Sequence, residues 1–117
     1  MCIAFVISKR RGAHIDSIID LRAIFQEGHL AFALEDLPSI LKLRKGCFAL
    51  VDCEKVYCPD LRAGLDIFEL RGVDREKGAI VVVRPDQYVA NVLPLGAHDE
   101  LAAFFGRFMH RTTLGAR

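Results

Sequence analysis

The clearest alternation of apolar and polar positions lies in GAIVVVRPDQYVANVLPLGAHDELAAFFGRFM, from Gly78 to Met109. Ala79–Val83 is an unbroken apolar, β-branched run and predicts a strand. Arg84-Pro85-Asp86-Gln87 is turn chemistry: proline presets φ, and Asp86 can accept from the backbone two residues on. Residues 88–93 predict a second strand, with Tyr88, Val92 and Pro94 on one face and Val89, Asn91 and Leu93 on the other. Together they make a β-hairpin with a short polar tip. Beyond Gly96, Asp99 is placed to cap a helix whose Leu101, Phe104, Phe105 and Phe108 recur on one face.

Upstream the signals are shorter. Residues 2–8 form an apolar run stopped by Lys9-Arg10-Arg11-Gly12, a buried strand ending in a solvated loop. Asp16 and Ser17 suit the cap of a helical turn. Leu21, Ala23 and Phe25 alternate with Arg22 and Ile24, which predicts a strand over 21–25. Leu34, Leu37 and Leu41 share a helical face, but Pro38 is tolerated only in a first turn. The spacing therefore predicts a loop over 29–34 and a helix over 36–43. Phe48, Leu50 and either Val51 or Cys53 suggest a strand, and 55–58 a second extended piece. Residues 67–70 suit either a helix or a strand, and Asp74-Arg75-Glu76-Lys77 is a solvated turn between Gly72 and Gly78.

Composition narrows the class. The 117 residues make one α/β domain with a single core. The hydrophobic share is 52%, yet no stretch approaches the roughly 20 apolar residues of a membrane span. Surplus apolar surface then faces another domain or subunit. Sixteen basic against fifteen acidic residues give a net charge of +1, which makes no case for nucleic acid or an anionic membrane. The basic tail RTTLGAR reads as a frayed end. Met1-Cys2-Ile3 lacks the charged start and cleavage site of a secretory signal, and the expected compartment is the cytoplasm.

Candidate chemistry is sparse. The four cysteines, at 2, 47, 53 and 58, show no C-x-x-C spacing, and no histidine lies near Cys53 or Cys58, so no metal site is expected. Asp20 and Arg22 fall on one strand face and can pair, as a surface ion pair or as a polar contact to another domain. Asp52, Glu54 and Lys55 gather charge on a turn at a spacing poorly suited to acid–base work. His29 has no partner in view, and His110 suits a helix C-terminus. No serine sits in a G-x-S-x-G elbow. No catalytic residue is assigned.

The segments "RPDQYVANVLPL", "HDELAAFF", "IDSIIDLRAIFQEGH", "GCFALVDCEKVYCPDL" and "DIFELRGVDREKGAIVVVRPDQYVA" resemble consecutive pieces of the C-terminal region of flavin-dependent aromatic hydroxylases. The likeness is strongest to the phenol 2-monooxygenase and 3-hydroxybenzoate 4-monooxygenase branch and covers roughly residues 15–109. It implies a thioredoxin-like sandwich: a mixed sheet, a C-terminal β-hairpin and packing helices. It also implies that 46–60 elaborates that core against the rest of the enzyme or its dimer mate. Phe48, Tyr57 and Tyr88 are the interface candidates, large apolar bodies in which the tyrosines carry polar tips. The parent reaction implied is FAD- and NADPH-dependent insertion of oxygen into a phenolic ring. The sequence has neither a G-x-G-x-x-G turn nor a Gly-Asp pair, so no FAD or other cofactor is assigned to this chain.

These expectations describe a non-catalytic, dimerising domain occurring as a separate chain, a homodimer or the partner of a flavoprotein hydroxylase. The start of the chain, almost on its first strand, suggests a truncated or split gene. Two alternatives stay open. One is a redox protein working through Cys53 and Cys58. The other is a small module binding aromatic compounds between Phe25, Phe48, Tyr57 and Tyr88.

Overall fold

The computed structural model describes residues 2–7, 18–62, 64 and 66–109. Five strands form one mixed sheet: β1 (Cys2–Ile7), β2 (Ile19–Ile24), β5 (Val56–Tyr57), β6 (Ala79–Val83) and β7 (Val89–Leu93), in the order β5-β2-β1-β6-β7. β1 runs antiparallel to β2 and parallel to β6, and β2 runs parallel to β5. β3 (Arg44–Lys45) and β4 (Leu50–Val51) form a separate small ladder. The helices are α1 (Ile67–Leu70) and α2 (His98–Gly106). The class is α/β, as the periodicity implies. The proposed turn at Asp16 and Ser17, the loop after β1, His110 and the basic tail lie outside the described residues.

Register decides what each face of the sheet carries. Cys2 lies opposite both Ile24 and Ala79, and Ala4 opposite both Arg22 and Val81. Asp20, Arg22 and Ile24 therefore share a face with Ala79, Val81 and Val83, because side chains of paired residues point the same way. Ala23, Ile80 and Val82 occupy the other face, and all three are buried. That second face is the covered one. On the first face, shielding ends toward β7.

The hairpin differs from a regular alternation in one respect. Arg84 N–H donates to the Tyr88 carbonyl at 2.8 Å, and Gln87 N–H to the Arg84 carbonyl at 2.9 Å. Gln87 takes a positive φ of 68°, which completes a three-residue loop. Asp86 accepts from Tyr88 N–H at 3.3 Å, the bond its position in the sequence implies. The ladder then pairs Val82 with Asn91 but Val83 with Val89, leaving Ala90 as an extra residue. This bulge sets Val89 and Val92 on one face, where strict alternation had separated them. The strand begins at Val89, one residue later than expected.

The expected helix over 36–43 is replaced by two 3-10 turns, Leu34–Asp36 and Ser39–Leu41. Proline removes an N–H and pushes the preceding residue out of the helical region, and Leu37 is extended at φ −74°, ψ 145°. Leu37 and Leu41 still reach the core, but Leu34 stays exposed. Only Leu50–Val51 of the strand expected around Phe48 forms, because Gly46 and Ala49 take positive φ and fold the segment into a tight turn. Of the extended piece expected at 55–58, Val56–Tyr57 forms as β5, while Lys55 ends a 3-10 turn over Cys53–Lys55.

α1 resolves the ambiguity at 67–70. Asp66 accepts from Phe68 N–H at 3.1 Å and pairs with Arg75, whose guanidinium lies 5.5 Å from the Phe68 ring centre. Phe68 is buried. In α2 the cap position is Ala97, with no side-chain capping bond, and Asp99 sits inside the first turn beside Glu100. Both acids there favour the positive end of the helix dipole. Phe104, Phe105 and Phe108 pack edge to face, at 5.3 to 5.9 Å between ring centres, as their spacing implies.

Candidate association surface

The open face of the sheet has an apolar end and a polar end. At the apolar end, Val81, Val89 and Val92 floor a groove of about 680 Å³. Ile67 and Phe68 of α1 close one side, and Arg71, Asp74 and Lys77 line its rim. Val89 and Val92 are 59% and 57% exposed. The wall is ordered by its own backbone: Val73 N–H donates to the Phe68 carbonyl and Gly78 N–H to the Asp74 carbonyl, each at 2.8 Å. Backbone N–H groups of Lys77 and Glu76 also hold the Asp74 carboxyl below its ordinary pKa.

At the polar end, Asp20 and Arg22 do pair, at 3.0 Å. The pair belongs to a larger network. Lys55, only 1% exposed, brings its ammonium onto Asp20, and Arg22 donates to the Tyr57 hydroxyl at 2.8 Å. Partial burial works against the Arg22 charge, but the Asp20 contacts outweigh it and raise its pKa. The sequence places Lys55 with Asp52 and Glu54 in a charged cluster on a turn. Instead the 3-10 turn Cys53–Lys55 points it inward, while Asp52 caps that turn through Glu54 N–H at 3.0 Å. The signal for it was Asp20 itself, an acid inside the apolar run IIDLRAIF, where a carboxylate needs a buried cation.

The three interface candidates are all exposed, though on different parts of the surface. Phe48 is 82% exposed at the turn between β3 and β4. Tyr57 lies on the edge strand β5, its ring beside the Arg22 guanidinium. Tyr88 follows the hairpin tip. None of them, nor Phe25, lines the groove; Phe25 instead meets Phe32, with ring centres 4.6 Å apart. The aromatic residue in the groove is Phe68, which its four-residue element gave no periodicity to reveal. Thirteen large apolar side chains are exposed among the residues 18–109 whose burial is described, a surface suited to covering by another protein.

Cys47 and Cys53 are exposed free thiols, and Cys58 is a half-buried one whose pKa is raised by burial. Among the described residues, no group of three or more His, Cys, Asp or Glu is arranged to hold a metal. No helix there is long and apolar enough to cross a membrane.

Residues 4–113 match the family described as "Phenol hydroxylase, C-terminal dimerisation domain". The chain belongs to that family. It is 61% identical to a 3-hydroxybenzoate 4-monooxygenase of Comamonas testosteroni over 99 residues, which is 84% of this chain and 16% of the relative. It is 31% identical to the FAD-dependent monooxygenase terD of Aspergillus terreus, over 86% of this chain and 17% of that protein. The phenol hydroxylase-type domain thus spans about a sixth of the length of these relatives.

Among the described residues of this dimerisation domain, both helix starts carry acidic side chains: Asp66 and Glu69 at α1, Asp99 and Glu100 at α2.

Proposed function

We propose that this chain is a non-catalytic association domain of a phenol-hydroxylase-like monooxygenase of the cytoplasm. Its partner is a second copy or a flavoprotein hydroxylase that supplies FAD, NADPH chemistry and the phenolic substrate site. The mixed sheet with its C-terminal hairpin and following helix is read as a thioredoxin-like sandwich. The observation that carries the proposal is the set of exposed large apolar side chains, Phe48, Tyr88, Val89 and Val92 among them. Phe48, Tyr57 and Tyr88 are assigned as contact positions within it. The family's description as a dimerisation domain supports the same reading.

Sedimentation velocity from low to high micromolar concentration tests self-association, and capture with a purified flavoprotein hydroxylase tests the other partner. A chain that stays monomeric throughout and captures no hydroxylase refutes the proposal. A second reading, a module for small aromatic compounds, has one observation in its favour. The groove of about 680 Å³ falls within the size range of ligand pockets. Saturable thermal stabilisation by a phenol would support that reading, and its absence would remove it.

A further inference from the structure

We propose that two copies of this chain associate through the open faces of their sheets, valine stripe on valine stripe, and not by joining their β7 edges. This rests on the reading that the domain self-associates. Both surfaces are available, so the structure has to choose between them. β7 is an edge strand, and an unpaired edge is a template for adding another strand. This edge is blunted in two ways. The bulge at Ala90 breaks the ladder and bends the strand. Asn91 Oδ1 takes the Val92 N–H at 2.9 Å, so that donor is not on offer to a further strand.

The same bulge enriches the face. It turns Val89 to the side that already carries Val81 and Val92. Apolar side chains more than half exposed on an otherwise ordered sheet are what the centre of an interface looks like. The rim supports a second copy as the occupant. A two-fold axis sets a patch against itself, so a rim of one sign would repel its mate. Here Arg71 and Lys77 border the groove together with Asp74. A cation of one copy can therefore meet the Asp74 carboxylate of the other.

The test is sedimentation equilibrium of the whole chain with four variants, each checked by circular dichroism. Val89→Asp and Val92→Asp place a charge on the face, and each should weaken the dimer about 30-fold or more. Asn91→Thr releases the edge N–H, and Glu27→Gln removes an exposed charge outside the groove. Both should leave the dimer constant within about threefold. A second measurement does not depend on the variants folding. Carbodiimide cross-linking of mixed isotope-labelled and unlabelled wild-type chains should join Lys77 of one copy to Asp74 of the other. A wild-type dimer that survives both aspartates, tightens with Asn91→Thr, or lacks that cross-link overturns the inference while leaving self-association standing. A wild-type chain that never dimerises overturns self-association itself, and this inference with it.

Discussion

Removing the Asp20 carboxylate is the sharpest perturbation the fold offers. Lys55 is 1% exposed, and its ammonium is held against Asp20, which is itself 23% exposed. Taking one partner from a buried pair costs about 3–5 kcal/mol, because the remaining charge stays buried. Water reaches Asp20, so the lower figure, about 3 kcal/mol, applies to Asp20→Asn. With an unfolding entropy of about 2.1 cal/mol/K per residue, 117 residues lose about 12 °C in Tm. Lys55→Met keeps the stem volume and leaves Asp20 paired with Arg22, so it should cost about 1 kcal/mol. The double variant should lie within about 1 kcal/mol of Lys55→Met, giving a coupling of roughly 2–4 kcal/mol. The assay is urea unfolding of all four proteins at pH 7, followed by tryptophan-free far-ultraviolet circular dichroism. If Asp20→Asn costs under about 1 kcal/mol, or Lys55→Met does not relieve it, the buried pair is not what holds this edge of the sheet.

Three further outcomes are expected. Hydrogen bonding from Lys45 holds the Asp52 carboxyl below its ordinary pKa, so its contribution is present above the unfolded value of about 3.9 and is lost as pH falls through the folded one. Lys45→Met should therefore cost about 0.5 kcal/mol at neutral pH and nothing at about pH 2, read from urea melts at both. Gln87→Gly should stabilise the chain by about 0.5 kcal/mol, since glycine meets the positive φ without strain, and a Tm that falls would contradict this. Asp66→Ala removes both the α1 cap and the Arg75 pair and should cost about 1–2 kcal/mol, measured by the same unfolding curves.

The long, periodic segments were legible. β6, the hairpin turn and the aromatic face of α2 follow directly from the pattern of residues 79–108, because β-branched runs and three-to-four spacing have few other solutions. The pairing of Asp20 with Arg22 followed from period two. What escaped was decided by contacts far apart in sequence or by single residues. Lys55 is buried through a partner 35 positions away, and nothing local in DCEK distinguishes it from a solvated turn. Pro38 was weighed only for its own place in a helix, although its effect on Leu37 broke the segment into two turns. The bulge at Ala90 has no composition signal, so the face shared by Val89 and Val92 stayed hidden.

Ala90 also bears on how the hairpin tolerates length change. Val83 already pairs with Val89 across it, so deleting Ala90 would keep every pairing of β7 and only straighten the strand. In a regular ladder, the loss of one residue inverts every side chain on one side of the gap. This hairpin instead carries an allowance of one codon. A chain lacking Ala90 should therefore keep Val89 and Val92 on one face.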